Sequence, residues 1–196
     1  MHDSPDMRGL EATAYSQHGY FTTSQARERG LSSQLLSHYV RGNRFERVRR
    51  GLYRLPGFPR PEDDEMREKW MAVGREKAVL SHQSALALLD LSDNIPNAVH
   101  LLVGRRYRGL RRPAGAVIHT RPDEEEVDTV WREGLRLTAP ARTLVDVAEE
   151  IQPEQLEMAV RQALGRGLLT ARELEEAARR RGRSDALSGA LAAVAS

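Results

Sequence analysis

The chain has 196 residues, 30 Lys+Arg against 28 Asp+Glu, a net charge of +2 and no cysteine. That length allows one large or two small domains, and the missing cysteines exclude a disulfide framework, a thiolate metal site and a cysteine nucleophile. No apolar run approaches the length of a bilayer span, and the opening MHDSPDMRG lacks a basic segment followed by an apolar one, so a cytoplasmic protein with no membrane partner is expected.

The first predicted helix runs from Met7 to His18, with Leu10, Ala14 and Tyr15 toward a core and His18 at its end. Tyr20-Phe21 adds a short strand. Thr22 and Gln25 have the spacing of a capping box, so a second helix starts at Thr23 and stops at Gly30. Ser32 caps a third helix that runs to Arg41 and ends at Gly42-Asn43. At 100° per residue, Leu35, Leu36, Tyr39 and Val40 share one face, and Gln34, Ser37, His38 and Arg41 share the other. An apolar inner face with a polar, donor-rich outer face is what a helix needs to pack on a domain and read base edges in a major groove. An ordinary amphipathic surface helix has the same pattern.

The next segment separates the two readings. Phe45, Val48, Leu52, Tyr53 and Leu55 are strand formers around a turn at Arg49-Arg50-Gly51. Arg44, Arg47, Arg49, Arg50 and Arg54 crowd this hairpin, where they can hold phosphates or reach a minor groove. Helix, turn, helix and basic hairpin together predict a winged helix-turn-helix that binds double-stranded DNA. Its charge is local: residues 1–60 carry ten Arg against five acids.

Pro56-Gly57-Phe58-Pro59-Arg60-Pro61 reads as a linker, which places domain boundaries at 1–57 and 62–196. Glu62 to Glu65 load acid onto the start of a helix that continues to Lys77. Ser81 caps a helix from His82 to Leu89. Ser81, His82 and Ser84 do not read as a nucleophile and base, because no Gly-x-Ser-x-Gly elbow and no nearby orienting acid accompany them. Ala98–Val103 and Ala116–Thr120 alternate like strands.

Between those strands lies a basic loop with Arg105, Arg106, Tyr107, Arg108, Arg111 and Arg112. It is a second candidate contact for nucleic acid or an acidic partner, with Tyr107 able to stack on a base. His100 and His119 can become neighbours across the strands. Two imidazoles without a third ligand do not make a metal site, so neither metal nor cofactor is expected. Asp123 to Glu126 read as a solvated turn, followed by strands at Val127–Trp131 and Leu135–Thr138.

Pro140 opens a helix with Leu144, Val145, Ala148 and Ile151 on its core face. Pro153 opens another, which ends at Gly165-Arg166-Gly167. Thr170 and Glu173 form a second capping box before a helix to Arg181, and Ser184 caps a last Ala-rich helix. A second helix-turn-helix around Leu164–Arg181, with Arg179, Arg180, Arg181 and Arg183 on phosphates, is a lesser alternative to arginines that suit a helix C-terminus.

In order and spacing, YFTTSQARERGLSSQLLSHYVRGNRFERVRRGLYRL, LSHQSALALLDL, VHLLVGRRYRG, LRLTAPARTLVDVAEEI and AVRQALGRGLLTARELEEA resemble the AbiEi antitoxins of type IV toxin–antitoxin systems. The resemblance implies an N-terminal winged helix-turn-helix that represses its own operon. It also implies a C-terminal domain that counters a nucleotidyltransferase-like toxin encoded alongside. Some relatives carry a further nuclease-like domain after the arginine-rich helices, where this sequence stops at Ser196.

The expectation is therefore an α/β (α+β) protein, a winged helix-turn-helix followed by a mixed domain with a small sheet and several helices. It is expected to be no enzyme and to act as an autorepressor and antitoxin. The alternatives are a DNA-binding regulator without antitoxin activity and a non-catalytic protein-interaction module.

Overall fold

A computed structural model describes residues 4–182 and 184–195. The chain divides into two compact units, Met1–Ala72 and Val73–Ser196.

In the first unit, α1 (Met7–Tyr15) begins at Asp6, whose carboxylate accepts the Gly9 N–H at 2.8 Å. The helix is shorter than the sequence suggests: His18 and Gly19 take φ of 55° and 88°, which turns the chain out of the helix. Tyr15 stays 65% exposed rather than entering the core. Next come β1 (Tyr20–Thr22), α2 (Thr23–Glu28) and α3 (Ser33–Arg41), then β2 (Glu46–Arg49) and β3 (Leu52–Arg54). The strands form an antiparallel sheet in the order β1-β3-β2. The β2–β3 turn falls at Arg50-Gly51, with Gly51 at φ 83°, and the register shifts between Arg47 and Arg49.

Leu10, Phe21, Ala26, Leu31, Leu36 and Phe45 close the core between helices and sheet. Phe21 stands edge-on to Phe45 at 4.8 Å and stacks on Tyr53 at 5.6 Å. Each large side chain buried here contributes roughly 1.5–3 kcal/mol. The chain then forms α4 (Asp64–Val73), with Trp70 and Met71 buried. This helix stops before Lys77 because Gly74 sits at φ 115°, outside helical space.

The second unit is built on a five-stranded mixed sheet, ordered β6-β5-β4-β8-β7. Its strands are β4 (Ala78–Leu80), β5 (Val99–Gly104), β6 (Ala116–Arg121), β7 (Thr129–Arg132) and β8 (Leu135–Thr138). β4 is not legible in the sequence as a strand. It is three residues long and wholly buried, so it shows no alternation, yet it lies at the centre of the sheet. β4 runs antiparallel to β5 and parallel to β8, and β5 runs parallel to β6.

The helices are α5 (His82–Leu88), α6 (Pro140–Val147), α7 (Pro153–Gly165), α8 (Ala171–Arg181) and α9 (Ser184–Ala195). α5 packs on α6, α6 on α8 and α7 on α9. Ser81 stands at the start of α5 without capping it through its side chain, which instead meets His82. Arg183 and the Ser184 side chain lie outside the described residues. No helix among the described residues is long and apolar enough to cross a membrane.

Candidate nucleic-acid interface

The α3 helix divides as its sequence pattern requires. Leu36 is fully buried, and Leu35, Tyr39 and Val40 pack partly against the core. Gln34, Ser37, His38 and Arg41 are all exposed. Ser32 caps the helix by accepting the Leu35 N–H at 3.2 Å. The Ser37 hydroxyl donates back to the Ser33 carbonyl at 2.9 Å, so it offers a partner its oxygen lone pairs rather than its proton. Gln34 and Arg41 are thus the longer donors on this face, with His38 between them.

The hairpin arginines have different environments. Arg47 and Arg50 are exposed. Arg44 is exposed, lies over the Tyr39 ring at 5.2 Å and reaches Glu11 at 3.4 Å. Arg49 is half-buried and paired with Glu68 at 3.2 Å, so part of its charge is already met. Arg54 departs from the expectation of a phosphate contact. It is 2% exposed, lies over the Tyr20 ring at 5.2 Å, and donates to the Phe58 and Pro59 carbonyls at 2.7 and 2.6 Å. Its guanidinium holds the domain together and faces no solvent.

In the second unit, the loop after β5 starts as a 3-10 turn, Arg105–Tyr107. Arg105, Arg106, Arg108, Arg111 and Arg112 are exposed. Asp123 restrains the loop by accepting the Arg106 N–H at 3.2 Å and pairing with its side chain at 3.6 Å. The Tyr107 ring is only partly exposed, with Arg106 at 5.2 Å and Lys77 at 5.7 Å from its centre. It is a poorer free stacking platform than its sequence position suggests.

The same unit holds a polar interior that the sequence does not announce. Glu125 leaves the solvated turn expected of it: it accepts from Arg142 and, at 2.7 Å, from Arg181. Arg142 is 7% exposed and also bonds Asp146 at 2.8 Å. Burial raises the Asp146 carboxyl above its ordinary range, against the opposite pull of Arg142 and Arg181.

Beside this network His100 Nδ1 meets His119 Nε2 at 2.9 Å, and the His119 ring stacks on His82 at 3.4 Å. Burial, with the neighbouring imidazoles, lowers His82 to about 3 and His119 to about 4, and burial also lowers His100. His82 and Glu125 sit 37 and 17 residues from the partners they meet, a separation no local pattern records.

Comparison with known proteins gives the family. A profile described as "Transcriptional regulator, AbiEi antitoxin" matches residues 10–56, and one described as "AbiEi antitoxin C-terminal domain" matches residues 77–190. No curated protein matches the chain significantly. Among solved structures, the chain is similar to the crystal structure of RV2827C protein from Mycobacterium tuberculosis. The TM-score is 0.53 at 15% identity, covering 95% of this chain and 79% of that one. At that identity the likeness is one of fold. The two profiles succeed each other in chain order over most of the sequence, the first on the winged helix-turn-helix and the second on the mixed domain, and the chain belongs to the AbiEi antitoxin family.

Proposed function

We propose that this protein represses its own operon by binding operator DNA through residues 1–57, and that residues 62–196 hold and counter a nucleotidyltransferase-like toxin. The observation that carries the DNA reading is the exposed α3 face of Gln34, Ser37, His38 and Arg41 beside the exposed cations Arg44, Arg47 and Arg50. Arg41 can donate twice to a guanine edge, Gln34 can donate to and accept from an adenine edge, and the hairpin arginines neutralise phosphates. Arg49 assists while paired with Glu68. The exposed arginines between Arg105 and Arg112 add a second acid-seeking surface for DNA or the partner protein.

Fluorescence anisotropy on the protein's own promoter fragment and on a scrambled duplex tests this reading. Arg41→Ala is expected to weaken the specific complex by about 1–3 kcal/mol and the non-specific one less. Arg47→Ala is expected to weaken both alike and to reduce the slope of log K against log salt by about 1. Unchanged binding in both variants refutes the interface. For the second role, co-expression with the nucleotidyltransferase-like product of the same operon should restore growth, and failure to do so leaves a regulator without antitoxin activity.

A further inference from the structure

Three arginines stand near the turn of the hairpin, and one of them already has an acid beside it. Arg47 and Arg50 are exposed and have no acid within 4.0 Å among the described residues, whereas Arg49 Nε lies 3.2 Å from Glu68 Oε1 on α4. We propose, on the basis of the DNA interface of α3 and the hairpin, that Glu68 is an internal stand-in for a DNA phosphate: it withholds Arg49 from DNA and so limits the affinity of the first unit.

The backbone re-aims Arg49. In an unbroken strand, residues two apart point to the same face, and Arg47 and Arg49 would point the same way. Here Arg47 pairs with Tyr53 and Arg49 with Leu52, so the register shift leaves Val48 as an extra residue between them. Such a bulge redirects the side chains around it. Arg47 is accordingly exposed, while Arg49 is half-buried beside Glu68.

The carboxylate is held where it stands. Asp64, Glu68 and Met71 are spaced four and three residues apart on α4 and share one face of the helix. Asp64 and Met71 are buried, and so is Trp70, so moving Glu68 away from the hairpin would uncover that core.

The pair is close but poorly bonded. At this distance Arg49 Nε still makes no hydrogen bond, and neither residue has a second ion-pair partner among the described residues. A charge contact between partly exposed side chains is weak and screened by salt. A guanidinium offers the same N–H donors to a phosphate as to a carboxylate. DNA can therefore take Arg49 over, at the cost of leaving Glu68 uncompensated near a phosphate. Loss of the Glu68 charge removes that cost. One more neutralised phosphate steepens log K against log salt by about 0.9, which is roughly eightfold in affinity between 0.1 and 1 M salt.

Fluorescence anisotropy on the promoter fragment and the scrambled duplex, over a range of salt concentrations, tests the exchange in the full chain. The set is the parent, Glu68→Gln, Arg49→Ala and the double variant. Glu68→Gln is expected to tighten binding to both duplexes about three- to tenfold at about 0.1 M salt and to steepen the salt slope by up to about 1. In the Arg49→Ala background, Glu68→Gln should change affinity by less than about twofold. Glu68→Asp keeps the charge and draws it back by one methylene, so its affinity should fall between those of the parent and Glu68→Gln. Circular dichroism identifies a variant that fails to fold, and Glu68→Asp decides if Glu68→Gln is one. Unchanged or weaker binding by folded Glu68→Gln, with the parent bound, overturns the proposal and leaves the pair as a structural strut. Equal tightening with and without Arg49 also overturns it, since Glu68 would then act on DNA directly. A parent that binds neither duplex refutes the DNA interface itself, and the proposal with it.

Discussion

Arg54 carries the same guanidinium as Arg47 and Arg50, yet the hairpin sends it the other way. β3 is the middle strand of its sheet, with β1 on one side and β2 on the other, and Leu52, Tyr53 and Arg54 are all buried. A guanidinium there persists because its Nη2 donates to two carbonyls of the linker and the Tyr20 ring covers it. Charged hydrogen bonds of this kind contribute about 1.5–3 kcal/mol each. Arg54→Ala should therefore lower stability by about 2–3 kcal/mol in urea unfolding, with the salt slope of DNA binding unchanged in the molecules that remain folded. Arg54→Lys should recover only part of that stability, because a compact ammonium lacks the planar guanidinium that lies over the Tyr20 ring. A salt slope reduced by Arg54→Ala as much as by Arg47→Ala would return Arg54 to the phosphate-binding set.

The helices of the reading head are placed by local chemistry, which is why their boundaries are legible in the sequence. Thr22 Oγ accepts the Gln25 N–H at 3.3 Å, and Gln25 Oε1 accepts the Thr22 N–H at 2.9 Å, closing the capping box that starts α2. The Gln25 amide also donates to Gln17 at 2.9 Å, which ties the box to the end of α1. Thr22→Ala should cost about 1 kcal/mol in thermal or urea unfolding and shift α2 at its first turn. The same logic makes Ser32 and the Thr170–Glu173 box legible, and with them α3 and α8. It fails where position is set by distant partners. β4 is recognisable only once β5 and β8 flank it, Glu125 leaves solvent because Arg181 arrives from 56 residues away, and His82 joins His119 only through the parallel pairing of β5 and β6. Spacing along the chain therefore reveals the candidate DNA face and the His100–His119 pair, and conceals the meeting of His82 with them and of Glu125 with its arginines.

The proline-rich segment after β3 marks a change in the chain, but the contacts that complete the first unit reach past it. Phe58 and Pro59 accept from Arg54, Arg60 pairs with Glu46 at 3.6 Å, and Glu68 on α4 meets Arg49 on the hairpin at 3.2 Å. The compact unit accordingly runs to Ala72. A fragment of residues 1–57 keeps α3 and the whole hairpin, yet it strands the buried Arg54 without its carbonyls. Unpaired buried charge costs several kcal/mol, as much as the net stability of many small domains. A fragment of residues 1–72 restores those partners and adds the apolar burial of Trp70 and Met71. The longer fragment should unfold cooperatively and bind the promoter duplex with the salt slope of the full chain, while the shorter one should show neither a cooperative transition nor specific binding. Cooperative unfolding of residues 1–57 with full affinity would mean that the linker contacts are dispensable and that the core around Phe21, Leu36 and Phe45 suffices alone.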